Sequence, residues 1–312
     1  MILITGGSGY LGSHIVRKLV DAGKRVQVMV SNRTRAEREG RLADLPVEWV
    51  EADITKPETL DDALEGVESI IHTAAIAIEK GDRTYESINY QGTVKLVDAA
   101  NKHGIRRFVN ISQLGASPEL PYRFLASKGR AQAYVAQSNL DWTAFRPSVI
   151  WGPEDEFANT FARLVPLTPI IFPIVGGEDA RFEPIWVEDV ALSVLKALDD
   201  PSTHNQEFEL GGPEVLSLEQ IERRTLEAIG ARRWMIPFPM PLLRLIVILM
   251  ETVLPAPPVT RSLLELLAVS NVTTNNAIDR FVSNPRPFTA ENTRAYMQEF
   301  SVSETLKQFL GR

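Results

Sequence analysis

The stretch Thr5-Gly6-Gly7-Ser8-Gly9-Tyr10-Leu11-Gly12 constrains the fold more than any other part of the chain, because it directly follows the apolar run Ile2-Leu3-Ile4 and opens a helical pattern. Leu11, Ile15, Leu19 and Ala22 recur at helical spacing, and Gly23 stands where a glycine ends a helix. Gly6, Gly9 and Gly12 punctuate the turn between the two elements. A side chain at the first would obstruct the turn, at the second would hold a phosphate group away, and at the third would keep the helix off the strand. The unpaired N–H groups and positive dipole end of such a helix favour an anion. Glycine triplets also make plain tight turns, but a strand–loop–helix context selects the reading of a loop that cradles a dinucleotide pyrophosphate.

From residue 1 to about 150, short apolar runs alternate with amphipathic segments, the pattern of βαβ units forming a parallel sheet. Strands are expected over Ile2 to Thr5, Arg25 to Val30, Val47 to Glu51, Ser69 to Thr73, Arg107 to Ser112 and Trp142 to Arg146. Thr55 and Glu58 have the spacing of a capping box with Pro57 in the first turn, and Ile88, Gly92, Leu96 and Ala99 form a second buried stripe ending near Gly104. After Gly152-Pro153 the alternation weakens. The expectation is an α/β, doubly wound Rossmann domain over 1–150, and a smaller, mostly helical substrate or partner region over 151–312, interleaved with the sheet.

Composition removes several classes of function. The chain has 312 residues, enough for one large α/β unit or two domains, and its 44% hydrophobic and 23% charged residues are ordinary for a globular protein. The complete lack of cysteine excludes disulfides, thiolate nucleophiles and Cys-based metal sites. His14, His72, His103 and His204 lie in separate expected elements without metal-ligand spacing, so no metal is expected. A net charge of -7 opposes nucleic acid as a partner. The start has no basic region ahead of its first apolar run, so it reads as a strand, and a cytoplasmic location is expected. The apolar run Leu242 to Leu254 is too short to span a bilayer. Residues 237–258 are instead expected to form a buried lid or core helix, or else a contact with a protein partner or a membrane surface.

Selectivity between the two nicotinamide dinucleotides is read just after the second strand. An acid there would accept hydrogen bonds from the ribose 2′-OH. This chain has Val30-Ser31-Asn32-Arg33, and Arg33, with Arg35, suits a 2′-phosphate. NADP is therefore the expected cofactor, with NAD as the alternative. The bland reading is that these arginines solvate a helix containing Glu37 and Glu39.

These residues together resemble the short-chain dehydrogenase/reductase superfamily, in its extended and atypical, epimerase/dehydratase-like branches. Thr5 to Gly12 is similar to the family's glycine fingerprint. Asp53-Ile54 resembles the pair beside the adenine, His72-Thr73-Ala74-Ala75 the strand-end motif beside the cofactor, and Asn89 a helix asparagine. Ser112 stands where the family has an active-site serine. Arg146-Pro147-Ser148-Val149 and Gly152-Pro153 resemble the segment lining the nicotinamide, and Val187-Glu188-Asp189-Val190-Ala191 a later family element. The resemblance implies cofactor contacts from Thr5 to Gly12, Asn32, Arg33, Asp53, Ile54, Thr73, Ala74, Ala75, Asn89, Lys128, Pro147 and Val149. The prolines of the C-terminal half and the run Leu263 to Val272 resemble most the group of the complex I nucleotide-binding accessory subunit.

The chain departs from that pattern at the chemistry. The active family has a tyrosine one helical turn before a lysine, whose ammonium lowers the tyrosine pKa and holds the nicotinamide ribose. Here Phe124 precedes Lys128 by four residues. Tyr122 is displaced from that position unless the helix starts late, and Pro121 argues for an early start. Two functions stay open. One is an oxidoreductase or epimerase acting on an unknown small substrate, with Ser112, Lys128 and Tyr122 as candidate catalytic residues. The other is a non-catalytic NADP(H)-binding accessory subunit or redox sensor.

Overall fold

The structure is a computed structural model that describes residues 1–174, 180–254, 259–260, 264, 266, 269–297 and 301–309. Residues 255–258, together with 263, 265, 267 and 268 of the Leu263 to Val272 run, lie outside the described residues.

The first elements follow the alternation read in the sequence. They are β1 (Ile2–Thr5), α1 (Tyr10–Asp21), β2 (Val26–Val30), α2 (Arg33–Glu39), β3 (Glu48–Glu51), α3 (Leu60–Ala63), β4 (Ser69–His72), α4 (Thr93–Lys102), β5 (Arg107–Ile111), α5 (Arg123–Ala136) and β6 (Asp141–Pro147). The chain then forms β7 (Ile150–Trp151), α6 (Ala158–Leu164), β8 (Ile171–Ile174), β9 (Arg181–Phe182), β10 (Ile185–Trp186), α7 (Val187–Leu198) and β11 (Gln206–Leu210). Further on come β12 (Leu216–Ser217), α8 (Leu218–Ala228), β13 (Trp234–Pro237) and α9 (Met240–Val253).

Seven strands build one parallel sheet in the order β11-β6-β5-β4-β1-β2-β3. Its β1 and β4 are apolar and almost wholly buried, as expected of central parallel strands covered on both faces. The sheet order reverses beside β1, between β4 and β2, so the loops at the carboxyl ends of these strands diverge and leave a crevice. Gly23 at φ +73 closes α1, with the Lys24 amide donating to the Leu19 carbonyl at 2.9 Å.

Three expectations need correction. The seventh strand, β11, alternates Glu207, Phe208, Glu209 and Leu210 at the sheet edge, so its burial is one-sided and its short polar pattern does not stand out. The expected capping box at Thr55 does not form, because the Thr55 hydroxyl donates to the Asp53 carboxylate at 2.8 Å and the 3-10 turn Pro57–Thr59 has no side-chain cap. The stripe from Ile88 begins as a π-helix, Tyr85–Gly92, before continuing as α4.

The chain divides into two compact units, the first made of Met1–Pro147, Val187–Leu210 and Asn275–Asn284. Within the first unit, β11 pairs with β6, and α7 belongs with the sheet through His14 and Lys18 of α1, which both bond Glu188. Burial opposes ionisation of Glu188, yet these two partners outweigh it and hold the carboxyl down at about 2. The second unit comprises Ser148–Trp186, Gly211–Thr274 and Pro285–Arg312, and has its own core around Trp151, Phe172, Phe182, Ile221 and Phe288. Among the described residues, no helix is long and apolar enough to cross a membrane.

Candidate functional site

The crevice beside β1 is a cleft of about 500 Å³, and its floor is the glycine loop. Each glycine there has a distinct constraint. Gly6 has φ +71, and a Cβ on it would stand 2.8 Å from the Ala74 amide nitrogen. At Gly12 a Cβ would come within 2.1 Å of the Gly6 carbonyl oxygen, and at Gly7 within 2.9 Å of Val28 Cγ1 in the core. Gly9 differs. A Cβ there would meet only the Gly6 carbonyl oxygen, at 3.1 Å, so its open side faces the cleft that it lines. Gly9 is also the N-cap of α1, with no side-chain cap and no acidic residue in the first turn. The orphan N–H groups of that turn suit an anion, which is the fit a pyrophosphate requires.

The walls come from the ends of neighbouring strands. Ser8, Tyr10 and Leu11 stand with the glycines, and Asn32, Asp53, Ile54, Thr73, Ala74 and Ala75 close the sides. Thr73 is held by two bonds to the Thr5 carbonyl, its amide at 3.1 Å and its hydroxyl at 2.8 Å. Asp53 Oδ1 accepts from the amide and hydroxyl of Thr55, both at 2.8 Å, which shapes the turn after β3. Thr5 and Gly7 are structural supports behind the loop and do not line the cleft.

Charge around the cleft is arranged differently from the sequence reading. Asn32 lines the cleft, but its side chain caps α2 by accepting from the Arg35 amide at 2.8 Å. Arg33 is not among the lining residues; its guanidinium pairs with Glu37 at 2.7 Å, four residues along the exposed face of α2. Arg35, Arg41 and Arg83 line the cleft together with Glu39. Arg41 donates to the Ser8 carbonyl at 3.1 Å, tying the segment after α2 to the glycine loop. Gly40 in the left-handed region ends α2 and turns the chain back so that Arg41 reaches this place. That glycine was the available signal for Arg41; Arg83 sits in a loop with no local pattern.

Behind the cleft runs a buried polar chain. Thr5 Oγ1 bonds His72 Nδ1 at 2.6 Å, and His72 Nε2 bonds Thr93 Oγ1 at 2.9 Å. Burial, with the charge of Lys128 adding to it, pushes His72 down to about 3, so the ring is neutral. The unfolded histidine takes up its proton first. Stability from this group is complete above pH 6.5 and declines as pH falls from 6.5 toward 3. Thermal melting across that window is expected to show a steeper acid loss for the native chain than for His72→Gln, and equal slopes would refute a buried neutral imidazole.

Asn89, in the π-helix, accepts from the Ile76 amide at 2.8 Å and donates to the Ile76 carbonyl at 3.1 Å. It therefore pins the loop after β4. It does not line the cleft.

A second group of residues gathers at the end of β5. The Ser112 amide donates to the Phe145 carbonyl at 2.8 Å, which fixes the serine between β5 and β6. The residue is 3% exposed, yet among the described residues its hydroxyl has no hydrogen-bond partner. Lys128 is buried and donates to the Ile111 carbonyl at 2.6 Å, one residue before Ser112. Burial pushes its ammonium down to about 8. Pro147, at the end of β6, accepts from the Leu114 amide at 3.0 Å, whereas Val149 belongs to the second unit.

The tyrosine position is settled by the start of α5. The helix begins at Arg123, and Tyr122 is its N-cap in an extended conformation, with φ −83 and ψ 107. Phe124 thus lies in the first turn, one turn before Lys128, and its ring meets Tyr85 edge-on at 5.6 Å between centroids. The Tyr85 hydroxyl is engaged by the Ala77 carbonyl at 2.8 Å.

Comparison with known proteins agrees with this geometry. Residues 6–201 match the model of a family described as NAD(P)H-binding. The mitochondrial NADH dehydrogenase (ubiquinone) 1 alpha subcomplex subunit 9 of Arabidopsis thaliana is 29% identical over 76% of this chain, and the match spans 60% of that subunit, less than two thirds of its length. A ceramide reductase of Caulobacter vibrioides is 28% identical over 77% of this chain and 74% of the reductase. The UDP-glucose 4-epimerase of Thermus thermophilus, solved with NAD, shares the fold at a TM-score of 0.62 and 24% identity, over 76% of this chain and 86% of that one. With its glycine loop, its seven-stranded parallel sheet and a family match over residues 6–201, the chain belongs to the NAD(P)H-binding family.

Proposed function

We propose that this chain binds NADP(H) in the cleft and acts as an oxidoreductase or epimerase-type enzyme on a small substrate. The observation that carries this reading is the buried, unpartnered Ser112 hydroxyl, a costly arrangement unless the group serves a ligand. A bound nicotinamide would supply hydride transfer at a substrate carbon. Ser112 donates to the oxygen on that carbon, and Lys128 holds the end of β5 in register through Ile111. Tyr122 or water supplies the proton. Turnover of NADPH with a panel of carbonyl and nucleotide-sugar substrates, lost on Ser112→Ala, tests the reading; native and Phe124→Tyr proteins that are both inert while NADPH stays bound overturn it.

The preference for NADP over NAD is supported by three arginines, Arg35, Arg41 and Arg83, against two acids, Glu39 and Asp53, around the cleft. A charge-assisted contact to a 2′-phosphate is worth about 1.5–3 kcal/mol, about 10- to 100-fold in affinity. Calorimetric titration is expected to show tighter binding of NADPH than of NADH, with the difference mostly lost in Arg35→Ala or Arg41→Ala. Arg33→Ala serves as the comparison, since that side chain does not line the cleft, although Arg33 and Arg35 each pair with a glutamate four residues on. Equal affinities of the native protein for both nucleotides sink the choice of NADP.

Phe124 favours a second reading, an NADP(H)-binding accessory subunit or sensor without turnover, and the relatedness to a respiratory subunit points the same way. Under either reading, residues 237–258 act as a contact surface for a protein partner or a membrane, and the chain works in the cytoplasm peripheral to it. The exposed leucines of α9 support that surface.

A further inference from the structure

The second unit carries an apolar surface that its own core does not cover. Among the described side chains of α9, only Leu243 and Val247 are buried, with Met250 partly so. At 100° per residue, Leu242, Leu245, Ile246, Leu249 and Val253 form a separate stripe along the helix, and all of them are exposed. Arg244 and Glu251 mark a third, polar edge. A surface helix ordinarily confines its apolar residues to the face it buries, so an exposed aliphatic stripe beside a buried one signals contact with another apolar phase.

An independent element repeats the anomaly. The strands β8 and β13 pair in parallel, with Trp234 opposite Ile171. One face of this ribbon is inward, carrying Phe172 and Met235 in the core. The other carries Ile171, Trp234 and Ile236, and Trp234 is 75% exposed, although tryptophan prefers burial or an interface between water and an apolar phase. Only Phe238 and Pro239 separate this strand from α9.

Charge identifies the occupant. Although the chain as a whole is acidic, residues 231–254 contain Arg232, Arg233 and Arg244 against Glu251 alone. Arg223, Arg232 and Arg233 also line a cleft of about 430 Å³ with one acid, Glu227. The Arg233 side chain is braced by the Thr168 carbonyl at 2.6 Å, immediately before Trp234. Exposed aliphatic residues, a tryptophan and neighbouring arginines are the composition of a segment that rests in the headgroup layer of an anionic bilayer. Resting on the contact-surface reading above, we infer that α9 and the outer face of β13 dock on an anionic phospholipid membrane, with the arginines meeting the headgroups and Leu245 and Leu249 entering the acyl boundary.

The test is sedimentation of the full chain with vesicles of phosphatidylcholine alone and of equal parts phosphatidylcholine and phosphatidylglycerol. Pelleting with the anionic vesicles is expected, with a blue shift of tryptophan emission that is lost in Trp234→Phe. The double substitution Leu245→Glu with Leu249→Glu is expected to reduce partitioning at least about tenfold, from the lost burial of two leucines. Arg232→Glu with Arg233→Glu is expected to remove the preference for anionic over neutral vesicles. Circular dichroism and NADPH titration of each variant show that fold and dinucleotide site persist. Supernatant protein with both vesicles, or equal pelleting of the leucine variant, overturns the bilayer. If the protein stays in the supernatant, sedimentation velocity separates two failures. A dimer broken by the leucine substitutions leaves the contact surface standing with a second copy as its occupant, whereas a monomer without vesicle binding removes both.

Discussion

Gly9→Val is expected to abolish dinucleotide binding while leaving the protein folded. The four glycines of the loop look alike in sequence, but the space around them divides them. A Cβ at Gly9 finds one backbone oxygen at 3.1 Å and otherwise faces the cleft, so the added methyls occupy the place of the pyrophosphate and not that of the protein. A Cβ at Gly12 stands 2.1 Å from the Gly6 carbonyl oxygen, a backbone atom that cannot move aside without opening the strand–helix packing. Gly12→Ala is therefore expected to cost about 1–3 kcal/mol or more of stability, the range for overpacking a tight site. Titration with NADPH should show at least a ~100-fold loss for Gly9→Val, comparable to losing about 2.7 kcal/mol. Thermal melting followed by circular dichroism should rank the two variants the other way round. Normal binding by Gly9→Val refutes the assignment of this loop to the pyrophosphate.

The same contrast shows why some of this molecule was legible in sequence. The central strands of the sheet stand out because parallel strands buried on both faces are short apolar runs, and Ile2–Thr5 is buried along its whole length, whereas the edge strand β3 keeps only Trp49 and Val50 half-buried between glutamates. β11 hides because an edge strand needs only one apolar face, here Phe208 and Leu210 between glutamates. Along the cleft, the glycines and the strand-end residues Asp53, Thr73 and Ala74 can be placed by counting, since each follows a strand directly. The arginines cannot. Arg33 and Arg35 are two residues apart on a helix, so they project about 200° apart, and only the start of α2 decides which one faces the cleft. Arg41 enters because Gly40 reverses the chain, and Arg83 because the loop after β4 folds back, steps set by tertiary packing. Asn89 was found by its place in a motif, but its role in pinning Ile76 depends on a π-helical turn that no spacing rule reveals.

Phe124→Tyr is expected to raise hydride-transfer activity by up to about 10²–10⁴-fold, the usual contribution of a positioned general acid. Three observations place the missing group. The helix α5 begins at Arg123, so residue 124 lies one turn before Lys128, the spacing at which a phenol and an ammonium share a face. Lys128 is buried and held by the Ile111 carbonyl, and burial pushes it down to about 8, so its charge near neutral pH is sustained against desolvation and available to lower a phenol's pKa. The Ser112 hydroxyl is buried, unpartnered and follows Ile111 directly. A phenyl ring at 124 supplies shape and no proton. The native protein should accordingly bind NADPH and reduce carbonyl substrates slowly or not measurably. Tyr122 gives the counter-test: as the N-cap of α5 it lies outside the helix, and Tyr122→Phe should change a slow native rate little. Fast native turnover that collapses in Tyr122→Phe would make Tyr122 the acid and overturn the role given to position 124. If native and Phe124→Tyr proteins are both inert while NADPH remains bound, the departure at Phe124 marks a chain that has kept the dinucleotide and given up the reaction, and the accessory-subunit reading stands.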